Sequence, residues 1–332
     1  MNLSTRYMGL ELPHPLIAGA SPLSDDLDAV RKLEDAGAAA IVMHSLFEEQ
    51  LLMEQMASMR DHDAHEESHG EAQSYFPKMD RFSLGPDEYL ERLRTIKQAV
   101  GIPVFGSLNG YTPGGWLEFA KQIESAGADA LELNIYHITT DPDQSAAEVE
   151  AQTLRMVQGV RAQISIPLAV KLSPFYSALA HFARQLAQAG ADGIVIFNRF
   201  YEPDIDPNEL AVLRQLTLSD SSTLLMRLRW LAILSEKVDA SLAVTGGVHT
   251  GLDAVKAVMA GAHAVQMVSA LLRHGPGHIG RVRDELSSWL QEHEYDSLEQ
   301  AQGSMNLLRA PEPYEYERAN YVDILRSWEG LS

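Results

Sequence analysis

The sequence predicts a (β/α)8 barrel, because one structural unit recurs along the chain and eight strands accompany it. In each unit an amphipathic helix ends at Ala-Gly-Ala and an almost continuous apolar strand follows, as in residues 34–43, 124–134, 187–198 and 258–268. Strands that are buried on both faces of a parallel sheet are apolar along their length, and glycine commonly follows a helix end. This alternation predicts parallel strands that are joined by crossover helices.

Eight strands can be placed in order along the chain. They are His14–Ala20, Ala39–Met43, Pro103–Ser107, Ala130–Asn134, Pro167–Lys171, Gly193–Phe197, Leu242–Thr245 and Ala264–Val268. Helical patterns lie between and after them, over Asp25–Ala36, Asp87–Ala99, Gly115–Ala126, Ser145–Gln163, Tyr176–Ala189, Leu224–Lys237, Leu252–Met259 and Ile279–Glu292. Eight such units in about 280 residues fit a barrel. The alternative, a doubly wound α/β sheet, requires some of these strands to be wrongly assigned.

The whole chain, residues 1–332, is expected to be one domain, because no clear linker separates the units. Two segments exceed a minimal barrel. Residues 45–86 form an insertion after the second strand, on the side where barrel active sites lie, and we expect a lid there. Its histidine- and acid-rich run, residues 60–71, is typical of a solvated segment, and no metal site is predicted. Residues 296–332 form a C-terminal tail with a helical pattern.

Composition narrows the class of protein. The 332 residues are 45% hydrophobic, include no cysteine and carry a formal net charge of −20. Without cysteine there can be no disulfide, thiolate zinc site or cysteine-ligated iron–sulfur cluster. The negative charge argues against nucleic acid as the main partner. Because neither an 18-residue apolar run nor a signal-peptide pattern is present, we expect a cytoplasmic protein with no membrane partner.

Polar residues and glycines end the predicted strands, where a barrel presents its active site. These strand ends carry His44, Asn109, Asn134, Lys171, Asn198, Arg199, Gly246, Gly247 and Ser269. A lysine that closes the apolar run PLAVK is costly unless it meets an anion or a polar ligand. Paired glycines let backbone N–H groups approach a phosphate, in the loops after strands seven and eight that commonly bind one.

Such a set suits a polar heterocycle with a phosphate arm. Flavin mononucleotide (FMN) fits, since amides can bind the pyrimidine edge of its ring and a lysine can stabilise charge near N1. The same phosphate site would also serve a non-flavin barrel isomerase or lyase that acts on a phosphorylated substrate. The residues by themselves leave both interpretations open.

Five motifs, in matching order and spacing, resemble those of the dihydroorotate dehydrogenase family of FMN-dependent barrels in its class 1 form. They are HPLIAGAS (14–21), ELN (132–134), AVKLSP (169–174), IFNR (196–199) and TGGVHTGLDAVKAVMAGAHAVQMVSAL (245–271). The resemblance implies FMN contacts at Ala18, Gly19, Ala20, Asn134, Lys171, Asn198, Gly246, Gly247 and Ser269, and Asn109 is a further candidate at its strand end. It also implies that a base removes a substrate proton while a hydride passes to flavin N5.

The chain departs from the family at the substrate and base positions. His137 stands where the family carries a cysteine or serine base, and a histidine is a competent base near neutral pH. His44 replaces a lysine after the second strand, and Arg199 replaces a small hydroxyl residue after Asn198. We therefore expect His137 and Lys171 to be catalytic. The expected substrate-binding residues are His44, Asn134, Asn198 and Arg199.

The sequence thus predicts an FMN-dependent oxidoreductase that oxidises a CH–CH bond of a small, dihydropyrimidine-like substrate. The altered substrate and base positions leave a second interpretation, a flavin-binding protein without dehydrogenase activity. The electron acceptor could be a soluble molecule or a partner subunit. The sequence does not distinguish between these two acceptors. The sequence leaves the oligomeric state open. Related barrels are often dimers, and a homodimer is one candidate assembly.

Overall fold

The computed structural model describes residues 1–50, 85–110 and 116–327, in which parallel strands close into a barrel. In chain order the strands are β1 (Thr5–Tyr7), β2 (Leu10–Leu12), β3 (Leu16–Ala18), β4 (Ile41–Val42), β5 (Leu46–Phe47), β6 (Val104–Asn109), β7 (Ala130–Asn134), β8 (Leu168–Leu172), β9 (Gly193–Ile196), β10 (Asp204–Asp206), β11 (Ala211–Leu213), β12 (Ser241–Thr245) and β13 (Ala264–Met267). All eight predicted barrel strands are confirmed, and the (β/α)8 prediction is correct.

The barrel closes where its last strand meets its first. The parallel order runs β3, β4, β6, β7, β8, β9, β12 and β13, and β13 pairs again with β3 through Val265 and Leu16. The alternative of an open, doubly wound sheet is therefore wrong. The second barrel strand is split, because both β4 and β5 pair with β6. Val42 lies opposite Phe105 and Leu46 opposite Leu108, so one extra residue is accommodated between the halves.

Helices alternate with the barrel strands as predicted. They are α1 (Leu27–Asp35), α2 (Pro86–Ala99), α3 (Trp116–Ser125), α4 (Ala146–Arg161), α5 (Leu179–Gln188), α6 (Leu224–Leu234), α7 (Gly251–Ala260), α8 (Ser269–His274), α9 (His278–Glu292), α10 (Leu298–Ala301) and α11 (Ala319–Ser327). The glycine of each Ala-Gly-Ala turn has a positive φ, from 86° at Gly37 to 121° at Gly261. Glycine adopts this conformation without a steric penalty, which explains why the helices end there.

A hairpin that the sequence did not predict covers the N-terminal end of the barrel. It consists of β1 and β2, and the Thr5 hydroxyl donates to the His263 carbonyl at 2.9 Å. Tyr7 and Leu12 pack with small interior residues such as Ala169 and Ala243 in one buried cluster. Since this end is filled by side chains, the opening of the barrel lies at the carboxyl ends of the strands.

The two segments outside the minimal barrel have different outcomes. Of the predicted insertion, residues 51–84 lie outside the described residues, and so does the proposed lid with its histidine-rich run. The tail is helical as predicted, with α10, a 3-10 turn at Pro313–Tyr316 and α11. Its backbone N–H groups at Met305 and Leu307 donate to carbonyls of α7 and α6. The tail therefore packs on the outer helices of the barrel.

A second hairpin also went unpredicted. Strands β10 and β11 pair antiparallel after the sixth barrel strand, and each is three residues long. Their sequences, DID and AVL, are too short to show a periodic pattern. Among the described helices, none is long and apolar enough to cross a membrane.

Candidate active site

A cavity of about 500 Å3 opens at the carboxyl ends of the barrel strands, where active sites of this fold lie. Nine of the thirteen predicted site residues line it, namely Ala20, His44, Asn109, Asn134, Lys171, Asn198, Arg199, Gly246 and Ser269. Ala18 and Gly19 lie next to Ala20 at the end of β3, and Gly247 follows Gly246. His137 is partly buried on the loop after β7 and is not among the lining residues. The structure thus collects the predicted residues from almost every barrel strand.

Lys171 lies at the floor of this cavity in a buried ion pair. Its Nζ donates to Glu132 Oε1 at 2.7 Å, and the two side chains are 7% and 1% exposed. The second carboxylate oxygen of Glu132 accepts from the side-chain amide of Gln266. The lysine is therefore fixed by one strand neighbour and charge-compensated inside the barrel.

Sequence reasoning did not identify Glu132, although a signal for it was present. In the strand ALELN, alternate residues point to the same face, so Glu132 and Asn134 share the interior face. A carboxylate on the interior of an apolar strand requires a partner, and Lys171 on the next strand is one. The register confirms the neighbourhood, because Asn134 lies directly opposite Lys171.

Three amide side chains line the cavity together with the lysine. Asn198 Nδ2 donates to Asn134 Oδ1 at 2.7 Å, and Asn109 lies opposite Asn134 in the pairing of β6 with β7. Side-chain amides offer both donors and acceptors, which is what the edge of a heterocyclic ring requires. The contact between Asn134 and Asn198 joins the ends of two strands that are not adjacent in the barrel.

The glycine pair after β12 forms a tight turn. Gly246 and Gly247 both have φ of +86°, and a Cβ on Gly247 would lie 2.4 Å from the backbone nitrogen of Leu224. The Gly247 N–H donates to Ser219 Oγ at 3.3 Å, and the Ser219 N–H donates to Ser269 Oγ at 3.1 Å. Two backbone N–H groups and two hydroxyls thus meet beside the cavity.

The start of α7 stabilises this turn. Thr250 and Asp253 form a capping box, and Asp253 also accepts from Ser221 Oγ at 2.7 Å and from the backbone N–H of His249 at 3.0 Å. All of these donors converge on one buried carboxylate. The glycine turn is consequently held in place from behind by the capping box and the Ser221 hydroxyl.

His44 forms an unpredicted pair with a carboxylate. Its Nδ1 lies 2.9 Å from Asp25 Oδ2, and its backbone N–H donates to Ser24 Oγ at 2.6 Å. The guanidinium of Arg92 donates to the Asp25 carbonyl and anchors that loop. An imidazole that is oriented by a carboxylate through one ring nitrogen presents its other nitrogen in a fixed direction.

Two arginines border the cavity, of which the sequence identified only Arg199. Arg227 was not identified from the sequence because it lies inside LLMRLRWLAIL, a helical segment in which a single arginine gives no signal of a site. It is buried and donates to three backbone carbonyls, those of Thr223, Thr245 and Phe197. Burial and the neighbouring charge of Arg199 lower its pKa to about 10, so its guanidinium is still protonated at neutral pH.

A cluster of aromatic rings lies next to the β7 loop. Tyr136 and Phe200 stack with their centroids 4.3 Å apart, and Phe175 meets Phe200 edge-on at 5.1 Å. Tyr136 lies in the cavity lining beside Asn134. Within the part of the chain that the structure describes, no group of three metal-ligating residues comes together.

The chain is a closed parallel barrel in which a lysine, side-chain amides and a glycine turn surround one cavity at the carboxyl ends of the strands. This arrangement is typical of the active sites of (β/α)8 barrel enzymes. The family model for dihydroorotate dehydrogenase matches residues 78–290, and the chain belongs to that family. The family is flavin-dependent in general. The chain is an oxidoreductase of the type that acts on CH–CH groups.

Curated relatives match most of the chain at low identity. The chain is 24% identical to the catalytic subunit of dihydroorotate dehydrogenase B (NAD(+)) of Thermoplasma volcanium, over 91% of this chain and 98% of that protein. It is 23% identical to the chloroplastic dihydropyrimidine dehydrogenase (NADP(+)) of Arabidopsis thaliana, over 91% of this chain and 76% of that protein. It is 24% identical to subunit PreA of the NAD-dependent dihydropyrimidine dehydrogenase of Escherichia coli, over 92% and 77%.

Proposed function

We propose that this protein binds FMN in the cavity and uses it to oxidise the CH–CH bond of a dihydropyrimidine-like substrate. The observation that carries the proposal is the meeting of Lys171, the amides of Asn134 and Asn198 and the Gly246–Gly247 turn around one cavity. Relatives that are named for dihydroorotate and for dihydropyrimidine oxidation support the substrate class.

The residues of the cavity fit FMN. At the glycine turn, the space that a Cβ on Gly246 would occupy lies 3.0 Å from Arg227 Nη2, and at Gly247 it lies against the backbone of Leu224. A side chain at either position would meet existing atoms. The hydroxyls of Ser219 and Ser269, which accept from backbone N–H groups beside the turn, can in turn donate to a phosphate there. The amides and Lys171, at the ends of the consecutive strands β7, β8 and β9, suit the polar edge of the flavin ring.

When bound, FMN supplies the acceptor for a hydride at N5. Lys171 would place its ammonium group beside the ring, where negative charge develops, and Glu132 keeps that ammonium group in position. Asn134 and Asn198 would orient the ring and the substrate through their amides. Tyr136, which lines the cavity and stacks on Phe200, would exclude water from the substrate face.

A base must take one substrate proton as the hydride leaves the neighbouring carbon. We propose His137 for this role, on the loop that follows Asn134 by three residues. His44 is the competing candidate, because it lines the cavity and Asp25 orients its imidazole at 2.9 Å. An imidazole in either place can accept the substrate proton and release it to solvent afterwards.

Assembly and electron acceptor are also proposals. Relatives named as NAD(+)- and NADP(+)-dependent enzymes, and as catalytic subunits, support a nicotinamide as final electron acceptor with a partner subunit as the relay. No cysteine is available in this chain to bind an iron–sulfur cluster for that relay. We retain the homodimer and the cytoplasm as further proposals.

The test is an anaerobic titration of the FMN-loaded protein with dihydroorotate and with dihydrouracil, followed through flavin absorbance at about neutral pH. Flavin that bleaches with either compound supports the proposal. Protein that binds no FMN, or flavin that stays oxidised with both, overturns it.

Two matched variants separate the candidate bases. His137→Ala should bind FMN normally but reduce it at least about 100-fold more slowly, the loss expected when general acid–base catalysis is removed. If His44→Ala shows that loss and His137→Ala does not, His44 is the base and the assignment of His137 is wrong.

A further inference from the structure

Four polar side chains form an interior cluster between the cavity and the apolar end of the barrel. They are Lys171, Glu132, Gln266 and Tyr7, and all four are buried. Lys171 lines the cavity, whereas Tyr7 belongs to the apolar cluster that fills the N-terminal end. Because these groups are shielded from water, the charges among them interact strongly.

Glu132 is held from two sides of the barrel. Lys171, on the neighbouring strand β8, donates to Oε1 at 2.7 Å. Gln266 donates to Oε2 from β13, the strand that lies opposite β7 in the closed order of eight. Donors on both oxygens stabilise an ionised carboxylate. The carboxylate is therefore fixed beside the lysine as a charged partner.

The other two members of the cluster are neutral. Gln266 carries an uncharged amide. Burial, and then the charge of Glu132, raise the pKa of the Tyr7 phenol well above its usual value, so the hydroxyl stays protonated. The charges of the cluster are thus those of Lys171 and Glu132, and they sum to zero.

This compensation matters for the chemistry of a flavin in the cavity. In the proposed reaction the substrate gives a hydride to flavin N5 and a proton to the base, and its C–C single bond becomes a double bond. The flavin gains two electrons and one negative charge. A cation beside the ring favours this reduced form, and an anion close to that cation opposes the effect.

We infer that Glu132 sets the reduction potential of the bound flavin by compensating the charge of Lys171. The inference rests on the proposed function. Glu132 is not among the residues that line the cavity, so it is a positioning residue that acts through the lysine. With its charge compensated, the lysine can still donate to the ring without holding the flavin firmly in the reduced form. The reduced flavin can then pass its electrons to the acceptor.

The midpoint potential of the FMN-loaded protein tests the inference without any substrate. It is measured during slow anaerobic reduction by xanthine and xanthine oxidase, in equilibrium with a reference dye. Glu132→Gln should favour reduced flavin at least about tenfold, a rise of about 30 mV for a two-electron couple. Glu132→Asp keeps the carboxylate and should recover most of the wild-type potential.

A matched control comes from the opposite end of the same strand. Asp129 directly precedes β7 and pairs with Lys97 at 2.6 Å, outside the cavity lining. Asp129→Asn removes one carboxylate from a lysine pair, as Glu132→Gln does, but far from the flavin. It should leave the midpoint potential unchanged.

Two further variants keep the test decisive if Glu132→Gln does not fold. Lys171→Met leaves the charge of Glu132 uncompensated and should lower the midpoint potential. The double variant Lys171→Met/Glu132→Gln retains no unpaired buried charge, and its potential should lie above that of Lys171→Met. Far-UV circular dichroism checks the folding of each protein. A purely structural role for Glu132 does not predict shifts of opposite sign.

Separate outcomes distinguish the failure of the inference from the failure of the proposed function. A Glu132→Gln potential at or below that of wild type, or a double variant no higher than Lys171→Met, would overturn the inference alone. Flavin that is reduced by xanthine oxidase but by neither dihydroorotate nor dihydrouracil contradicts the proposed substrate, while the potentials still decide the role of Glu132. A protein that binds no FMN overturns both.

Discussion

The buried pair of Lys171 and Glu132 offers the sharpest test of how the site is built. At 2.7 Å between Nζ and Oε1, the attraction of two unit charges is about 6 kcal/mol for an effective dielectric constant near 20. Desolvation of both groups offsets most of this energy, so the intact pair contributes little net stability. Removing one partner is different, because the other charge remains buried and uncompensated.

We therefore expect Glu132→Gln and Lys171→Met each to lower the free energy of unfolding by about 3–5 kcal/mol. The double variant should lose less than the sum of the two, since it leaves no unpaired charge. Urea denaturation of the FMN-free proteins, followed by tryptophan fluorescence, measures the free energy of unfolding of the wild type, the two single variants and the double variant. Lys97→Met is the control. Lys97 forms a similarly short pair with Asp129, at 2.6 Å, but both groups are partly exposed, and the loss should stay below about 1 kcal/mol.

Additive losses, or single variants as stable as Lys97→Met, would refute the reasoning. Such a result would mean that solvent screens the pair in spite of its burial. It would also remove the basis for regarding Glu132 as the residue that positions Lys171.

Two further predictions concern stability. Burial lowers the pKa of His14 to about 4, where its neutral ring bonds the Gly37 carbonyl at 2.7 Å and accepts the Leu16 N–H at 3.2 Å. Because the unfolded chain binds this proton near pH 6.5, the contribution of His14 to the free energy of unfolding is fully present above that pH. It should fall by about 3 kcal/mol as the pH drops to 4. Urea denaturation midpoints across this pH range measure the loss, and an equally steep loss in His14→Gln would contradict the prediction. Gly247→Ala should lower the free energy of unfolding by about 2–4 kcal/mol, because of the positive φ at this position and the clash of the new Cβ with the Leu224 backbone. Gly9 also has a positive φ, +81°, but no atom lies within 4 Å of a Cβ there, so Gly9→Ala should lower it by only about 1–2 kcal/mol. Thermal unfolding compares the two alanine variants, and equal losses would show that the clash is relieved.

Local pattern accounts for most of what could be predicted. The strand Ala130–Asn134 was predicted at both ends, because an apolar run, a preceding glycine and a terminal polar residue are all encoded within a few positions. The helix α7 was predicted to within one residue at each end, as Leu252–Met259 against the observed Gly251–Ala260, and Thr250 caps its start. The hairpin of β10 and β11 was not predicted, because its strands are too short to show a periodic pattern.

Long-range pairing accounts for most of what could not be predicted. Asp25 and His44 are 19 residues apart, Glu132 and Lys171 are 39 apart, and Asn134 and Asn198 are 64 apart. Each pair depends on which strand ends become neighbours and on how far each side chain reaches. The split of the second barrel strand has the same origin, because the extra residue is visible only against its partner β6.

The sequence by itself determined the order of strands and helices, the closed barrel that this order favours, and the end of the barrel at which the polar residues gather. Only the tertiary structure decided which charges compensate each other there. It brought Glu132 beneath Lys171 and Arg227 next to Arg199, joined His44 to Asp25, and left His137 outside the cavity lining. The reason is physical: secondary structure follows from nearest neighbours along the chain, whereas the energy of a buried charge is set by the groups that folding brings around it.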